Sequence, residues 1–258
     1  MLDGYARCPN RVCERAVTRP ELRRSRSSAL FEWDGASILI DTSQDLYRQA
    51  LERHVRRVDA VLYTHGHADH IYGLPDIRSY CRFQNGPIPI YGSQETLDIL
   101  RGAFDYVFRP SGFVGGGVPV LEPHLLEQRT MLLGREVIPI PVQHGPLDGC
   151  QGYRIGDVGY LPDVKSIPEA SLALLGSLDL LVIDCLRLRP HATHIALDES
   201  LAYAERLRPA HCVFTHMAHD IDPDVQRVLL PTWAEFGMDG MILEIPNPGP
   251  RRARDERC

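Results

Sequence analysis

Four side chains able to bind a metal, His65, His67, Asp69 and His70, fall within six residues directly after the strand-like run of residues 58–63. A short apolar run of this kind reads as a buried strand, and the loop at a strand end is where a fold presents side chains to a cleft. A lone buried histidine is ordinarily a hydrogen-bonded core residue. The pattern His-x-His-x-Asp-His is too dense for packing to explain, and imidazole with carboxylate is the donor chemistry of first-row metals. The fold must therefore bring the end of this strand to a cleft.

The surrounding sequence alternates short β-like and helical segments. Residues 29–31 and 37–40 flank Asp34-Gly35, a two-residue hairpin turn. Ser43 caps a helical pattern with Leu46, Ala50, Leu51 and Val55 on one face, ending in Arg56-Arg57. A helix is predicted over 74–82, a strand over 88–91, and a helix from Ser93 to about Phe104; the glycines 115–117 and two prolines make 110–123 a connecting loop. From 131 to 184 the pattern is β-like, with Gly156-Asp157 turning a hairpin and 180–183 forming a fully buried strand. Helix 197–208, strand 212–215, helix 223–236 and strand 241–245 complete the pattern. Two sheets with helices outside follow, an α/β chain with one domain over 29–245, an Arg-rich arm over 1–28 and a disordered tail over 246–258.

A chain of 258 residues with 44% hydrophobic residues can bury a core without disulfides or a structural metal, so a metal cluster points to chemistry. Lys+Arg 28 against Asp+Glu 34 gives a net charge of -6, which disfavours bulk nucleic-acid binding. Seven arginines lie between Arg7 and Arg26 without a secretory apolar segment, and no run of 18 apolar residues occurs. The expectation is a cytoplasmic protein without membrane association. The seven cysteines have no tight framework spacing and read as core thiols or metal ligands.

The His-x-His-x-Asp-His pattern after a strand resembles the motif of the metallo-β-lactamase superfamily, over roughly residues 25–245. The resemblance implies a four-layer αβ/βα sandwich with metals at the edge between the two sheets. It also implies three more ligands, and His144, Asp163 and His216 stand after predicted strands where the family needs them. Carried over, His65, His67 and His144 hold one divalent ion, Asp69, His70 and His216 hold another, and Asp163 bridges them. Zinc, manganese and iron all suit this set.

The segment Cys8-Pro9-Asn10-Arg11-Val12-Cys13 resembles the start of the branch with the phosphonate-pathway cyclic phosphodiesterases, which hydrolyse 5-phosphoribosyl 1,2-cyclic phosphate. In that branch a Cys-x-Cys-x-x-Cys start and a later histidine hold a structural zinc. Cys8, Cys13 and His219 fit such an additional Zn2+ site, whereas Asn10 in the middle position is a poor ligand. The competing reading is a pair of inert thiols. The branch resemblance further implies a homodimer, and gives His194 the task of contacting substrate phosphate or protonating the leaving alkoxide, with His191 as competitor.

Asp41 reads either as a carboxylate orienting a ligand histidine or as a plain loop start. Arg23 to Arg26 are candidates for reaching an anionic substrate, and His54 and His211 look structural. The expected function is hydrolysis of a small phosphodiester at a two-metal site, with Asp69 and Asp163 orienting the nucleophile and His194 aiding the leaving group. Rival readings are thioester, lactam or tRNA 3′-end hydrolysis at the same metals. A non-catalytic accessory protein similar to the pyrroloquinoline quinone biosynthesis B proteins is a further alternative.

Overall fold

Alternation along the strands sorts the apolar side chains onto two faces, and this builds the layers. The computed structural model describes residues 11–109 and 117–245. The first sheet contains β1 (Ala29–Trp33), β2 (Ala36–Ile40), β3 (Ala60–Leu62), β4 (Ile88–Gly92) and β5 (Leu121–Leu125), in that order. Strands β1 and β2 are the antiparallel hairpin predicted at Asp34-Gly35, whose φ values of 48° and 80° suit a tight hairpin turn; the later neighbours are parallel.

The second sheet contains β6 (Thr130–Leu132), β7 (Arg135–Pro141), β8 (Gln151–Ile155), β9 (Val158–Leu161), β10 (Leu180–Asp184), β11 (His211–Thr215) and β12 (Ala234–Phe236). Their spatial order is β12-β11-β10-β9-β8-β7-β6, parallel from β9 to β12 and antiparallel on the other side.

The helices are α1 (Arg11–Thr18), α2 (Leu46–Glu52), α3 (Ala68–Ile71), α4 (Arg78–Gln84), α5 (Gln94–Ala103), α6 (Asp105–Phe108), α7 (Glu169–Ala173), α8 (Leu197–Leu207) and α9 (Pro223–Gln226). Ile38, Ile40 and Leu62 of the first sheet share one apolar cluster with Val137, Tyr153 and Tyr160 of the second, so these faces meet. The alternate residues Leu39, Val61 and Ile90 join Leu46, Tyr80 and Leu97 of α2, α4 and α5. On the far side Leu181, Ile183 and Phe214 join Leu172, Leu197 and Ala204 of α7 and α8. The result is the expected four-layer αβ/βα sandwich.

Several elements depart from the sequence reading. The predicted connecting loop 110–123 ends in a strand: residues 121–123 belong to β5, paired along its length with β4. The predicted helix 223–236 stops early: α9 runs into a 3-10 turn, Pro231 follows, and 234–236 become β12 beside β11. Residues 241–245 are not a strand. Helix α2 ends before Arg56-Arg57 because His54 turns left-handed at φ 53°.

The arm is not structureless over its described part. Val12 and Ala16 on α1, with Leu22 beyond it, are buried, and Arg15 pairs with Asp222. The guanidinium of Arg24 donates to the carbonyls of Ala218 and Ile221. Arg23 donates to Ala16 and Val17, and Arg26 pairs with Asp45, so these arginines fasten the arm. Cys8, Asn10, residues 110–116 and the tail 246–258 lie outside the described residues. Among the described residues no helix is long and apolar enough to cross a membrane.

Candidate metal centre

Strands β2, β3, β9, β10 and β11 all deliver their C-terminal ends to the same edge of the sandwich, the place where parallel sheets open a crevice. His65, His67, Asp69 and His70 follow β3, His144 follows β7, Asp163 follows β9 and His216 follows β11. The structure brings all seven together. Ligating atoms of His65, His67 and His144 lie within 4.8 Å of one another, and so do those of Asp69, His70 and His216.

Within the first group, Nδ1 of His67 is 3.0 Å from Nε2 of His65 and 3.2 Å from Nε2 of His144. Within the second, Nε2 of His70 and of His216 are 3.7 and 3.4 Å from Asp69 Oδ2. Asp163 stands between the groups. Its Oδ1 is 4.0 Å from His65 Nε2, 3.8 Å from His144 Nε2 and 3.3 Å from His216 Nε2, while its Oδ2 is 3.1 Å from His70 Nε2.

In His65, His70 and His144 the ring nitrogen facing away from the centre is held by the protein. Nδ1 of His70 donates to Asp41 Oδ2 at 2.7 Å, the contact that an orienting carboxylate would make. Asp41 also accepts from the Thr64 N–H and hydroxyl, and the Thr64 oxygen in turn lies 3.0 Å from Nδ1 of His65. Nδ1 of His144 donates to the Thr193 carbonyl at 2.8 Å. These contacts leave the Nε2 atoms of His65, His70 and His144 for the centre. Thr64 and Thr193 carried no motif signal, because only the fold sets them beside the rings.

Two backbone features make the packing feasible. A Cβ on Gly66 would meet Ile99 at 2.6 Å, so only glycine lets the loop lie on α5 between the two histidines. His216 itself sits at φ 56°, a left-handed conformation uncommon for a side-chain-bearing residue and associated with functional sites.

Burial and charge divide the histidines. Burial pushes His144 down to about 4 and His65 well below its ordinary value, keeping both neutral. Burial also opposes charge on His70, but the carboxylates of Asp163 and Asp41 outweigh it and hold His70 well above its ordinary value. Asp163 is held well below the usual carboxylate range because His216, His70 and His65 overcome its burial. The donor set fits a divalent cation: His70 Nε2 and Asp163 Oδ2 are both buried, face each other and make no hydrogen bond.

His194 is buried beside the centre, with Nδ1 2.8 Å from Asp184 Oδ2 and 3.8 Å from Asp163 Oδ1. Its competitor His191 lies farther out, its Nδ1 taken by the N–H and hydroxyl of Thr193. Away from the centre, Cys13 Sγ is 3.5 Å from His219 Nδ1, which places two of the three proposed zinc ligands side by side. His211 pairs with Glu235 across β11 and β12, and His124 stacks on Tyr91.

Comparison with known proteins fits this geometry. The family described as a beta-lactamase superfamily domain matches residues 36–217. An octanoyltransferase of Porphyromonas gingivalis is 32% identical over 247 residues, covering 95% of this chain and 49% of that protein. A ribonuclease Z of Bradyrhizobium diazoefficiens is 32% identical over 165 residues, covering 61% and 51%. The chain thus spans about half the length of these curated relatives. The crystal structure of a diphosphatase from the PhnP family superposes with a TM-score of 0.84 at 38% identity, covering 93% of this chain and 91% of that one. With that domain matched over most of its two sheets, the chain belongs to the metallo-β-lactamase superfamily, whose members are typically metal-dependent.

Proposed function

We propose that the protein is a metal-dependent phosphodiesterase that hydrolyses a small phosphodiester, cyclic or open, with two divalent cations. The observation that carries this reading is the position of Asp163, buried between the two groups with Oδ1 3.8 Å from His144 Nε2 of one and 3.3 Å from His216 Nε2 of the other. His65, His67 and His144 would hold one cation, Asp69, His70 and His216 the other, and Asp163 both. Cations there would supply a water of lowered pKa and neutralise charge developing on phosphoryl oxygens.

The chain's own residues do the rest. Asp69 and Asp163 orient the nucleophile from one side, and His194 stands at the margin to give a proton to the leaving oxygen. His67 is exposed, so the centre opens to solvent on the side a substrate would enter. Phosphorus as the reacting atom is supported by the relatives named as a diphosphatase and as a ribonuclease Z.

The test is metal content and bis(p-nitrophenyl) phosphate hydrolysis on one preparation, before and after reconstitution with manganese or zinc. Two ions per chain with metal-dependent turnover are expected, and a third, zinc, would place a structural ion at Cys8, Cys13 and His219. His67→Ala and Asp163→Ala should each lose more than about 100-fold, since even residues that merely hold a ligand cost about 10–100-fold. Retained turnover in both variants, or preferred cleavage of a thioester or β-lactam, would overturn the reading.

A further inference from the structure

Asp184, the last residue of β10, is fully buried beneath the centre and is not one of the seven candidate ligands. Its Oδ2 accepts the Val164 N–H at 3.0 Å and lies 2.8 Å from Nδ1 of His194. Its Oδ1 is buried without a hydrogen bond, and so is Nδ1 of His216. A carboxylate oxygen of Asp184 and a ring nitrogen of each of His194 and His216 lie within 4.8 Å of one another.

The two rings explain why one carboxylate can serve both. His194 and His216 stack nearly parallel, with centroids 5.0 Å apart and planes inclined by 18°. Nε2 of His216 faces the centre, 3.3 Å from Asp163 Oδ1, so Nδ1 is the nitrogen turned away. An orphaned ring nitrogen and an orphaned carboxylate oxygen, buried in one cluster, are a donor and an acceptor that a small ring rotation would pair. Nε2 of His194 makes no hydrogen bond among the described residues, which leaves it available.

We infer that Asp184 is the positioning residue for this side of the centre. Through Oδ2 it takes Nδ1–H of His194 and, as a carboxylate, stabilises the ring when both nitrogens carry a proton, with Nε2–H aimed at the leaving oxygen; through Oδ1 it takes Nδ1–H of His216, which leaves Nε2 of that ring bare for a cation. The role given to His194 rests on the phosphodiesterase reading. As the bond from phosphorus to the leaving oxygen breaks, that oxygen keeps the bonding pair and takes the proton from Nε2 of the doubly protonated His194 ring, which becomes neutral. The N–H electron pair stays on the ring, and the proton between Nδ1 and Oδ2 holds the ring in place. Asp41 does for His70 on the first sheet what Asp184 does here on the second.

Two measurements test this, and the first does not depend on turnover. Side-chain NMR of 15N-histidine-labelled protein without added metal should show exchange-protected Nδ1–H signals for His194 and His216. Both should vanish in Asp184→Ala, while the His211 signal, held by Glu235, persists as the control for folding. If Asp184→Ala does not fold, Asp184→Asn retains one acceptor and should lose at least one signal. Signals missing from the wild type, or unchanged in the variants, overturn the inference.

The second measurement compares diesters with alkyl and p-nitrophenolate leaving groups on metal-loaded protein. Asp184→Asn and His194→Ala should each lose about 100-fold or more on the alkyl diester and far less on the aryl one, because a good leaving group needs no proton. The double variant should be no slower than the slower single one. Equal losses on both substrates, or multiplying losses, would overturn the positioning role. Failure of the wild type to cleave any diester would instead remove the phosphodiesterase reading, with the NMR result still deciding the placement of Asp184.

Discussion

Nδ1 of His70 and Oδ2 of Asp41 lie 2.7 Å apart, both fully buried, and Asp41 is held in turn by two hydrogen bonds from Thr64. The carboxylate thus reaches the candidate ligand His70 directly and His65 through the Thr64 hydroxyl. Asp41→Asn should weaken metal retention about 10–100-fold. Competition with a chelator of known affinity reads this; unchanged retention would mean that the pair is only structural.

Proton competition should separate the two donor groups. A histidine binds metal only when neutral. His70, which Asp163 and Asp41 hold well above its ordinary value against burial, keeps its proton in the metal-free protein at neutral pH. His144, at about 4, and His65, also depressed by burial, have already lost theirs. As pH falls from 8 to 6, affinity at Asp69, His70 and His216 should drop by about tenfold per unit, while the other group loses far less. Metal titration calorimetry across that range checks it, with about one proton released per ion at the pH-sensitive group.

Gly66→Ala should destabilise the protein by about 1–3 kcal/mol, because the added methyl meets two Ile99 carbons at 2.6 and 2.7 Å. Trimming the obstacle should relieve it: in the background of Ile99→Ala the same change should cost markedly less. A urea double-mutant cycle measures the coupling, and additive losses would contradict a direct clash.

Ser93→Ala should cost about 1 kcal/mol, since the Ser93 hydroxyl oxygen accepts the Thr96 N–H and caps α5. Metal content should stay at the wild-type value. Thermal denaturation gives the loss, and no shift would mean that the cap is replaced by solvent.

The centre was legible where it is local and obscure where it is spatial. His65, His67, Asp69 and His70 announce themselves because they are crowded after one apolar run. His144, Asp163 and His216 needed a family resemblance, since each stands alone in the sequence and only the shared edge of two sheets gathers them. Asp184 offers just one weak signal, a charge closing a fully apolar strand, and the same signal at Asp41 fits an orienting carboxylate and a plain loop start equally. Short strands failed for another reason. In β12 three residues after Pro231 fit a helical period as well as a strand period, and pairing with β11 decides between them.

The donors come from both sheets, and the chain is made from one end. The first group is complete when residue 144 has been added, the second only with residue 216. Until then Asp69 and His70 of the histidine-rich loop lack the third donor of their group. An ion that joins residue 70 to residue 216 can be captured stably only after the second sheet has folded back onto the first. Occupancy of that group would therefore report that the two sheets have come together.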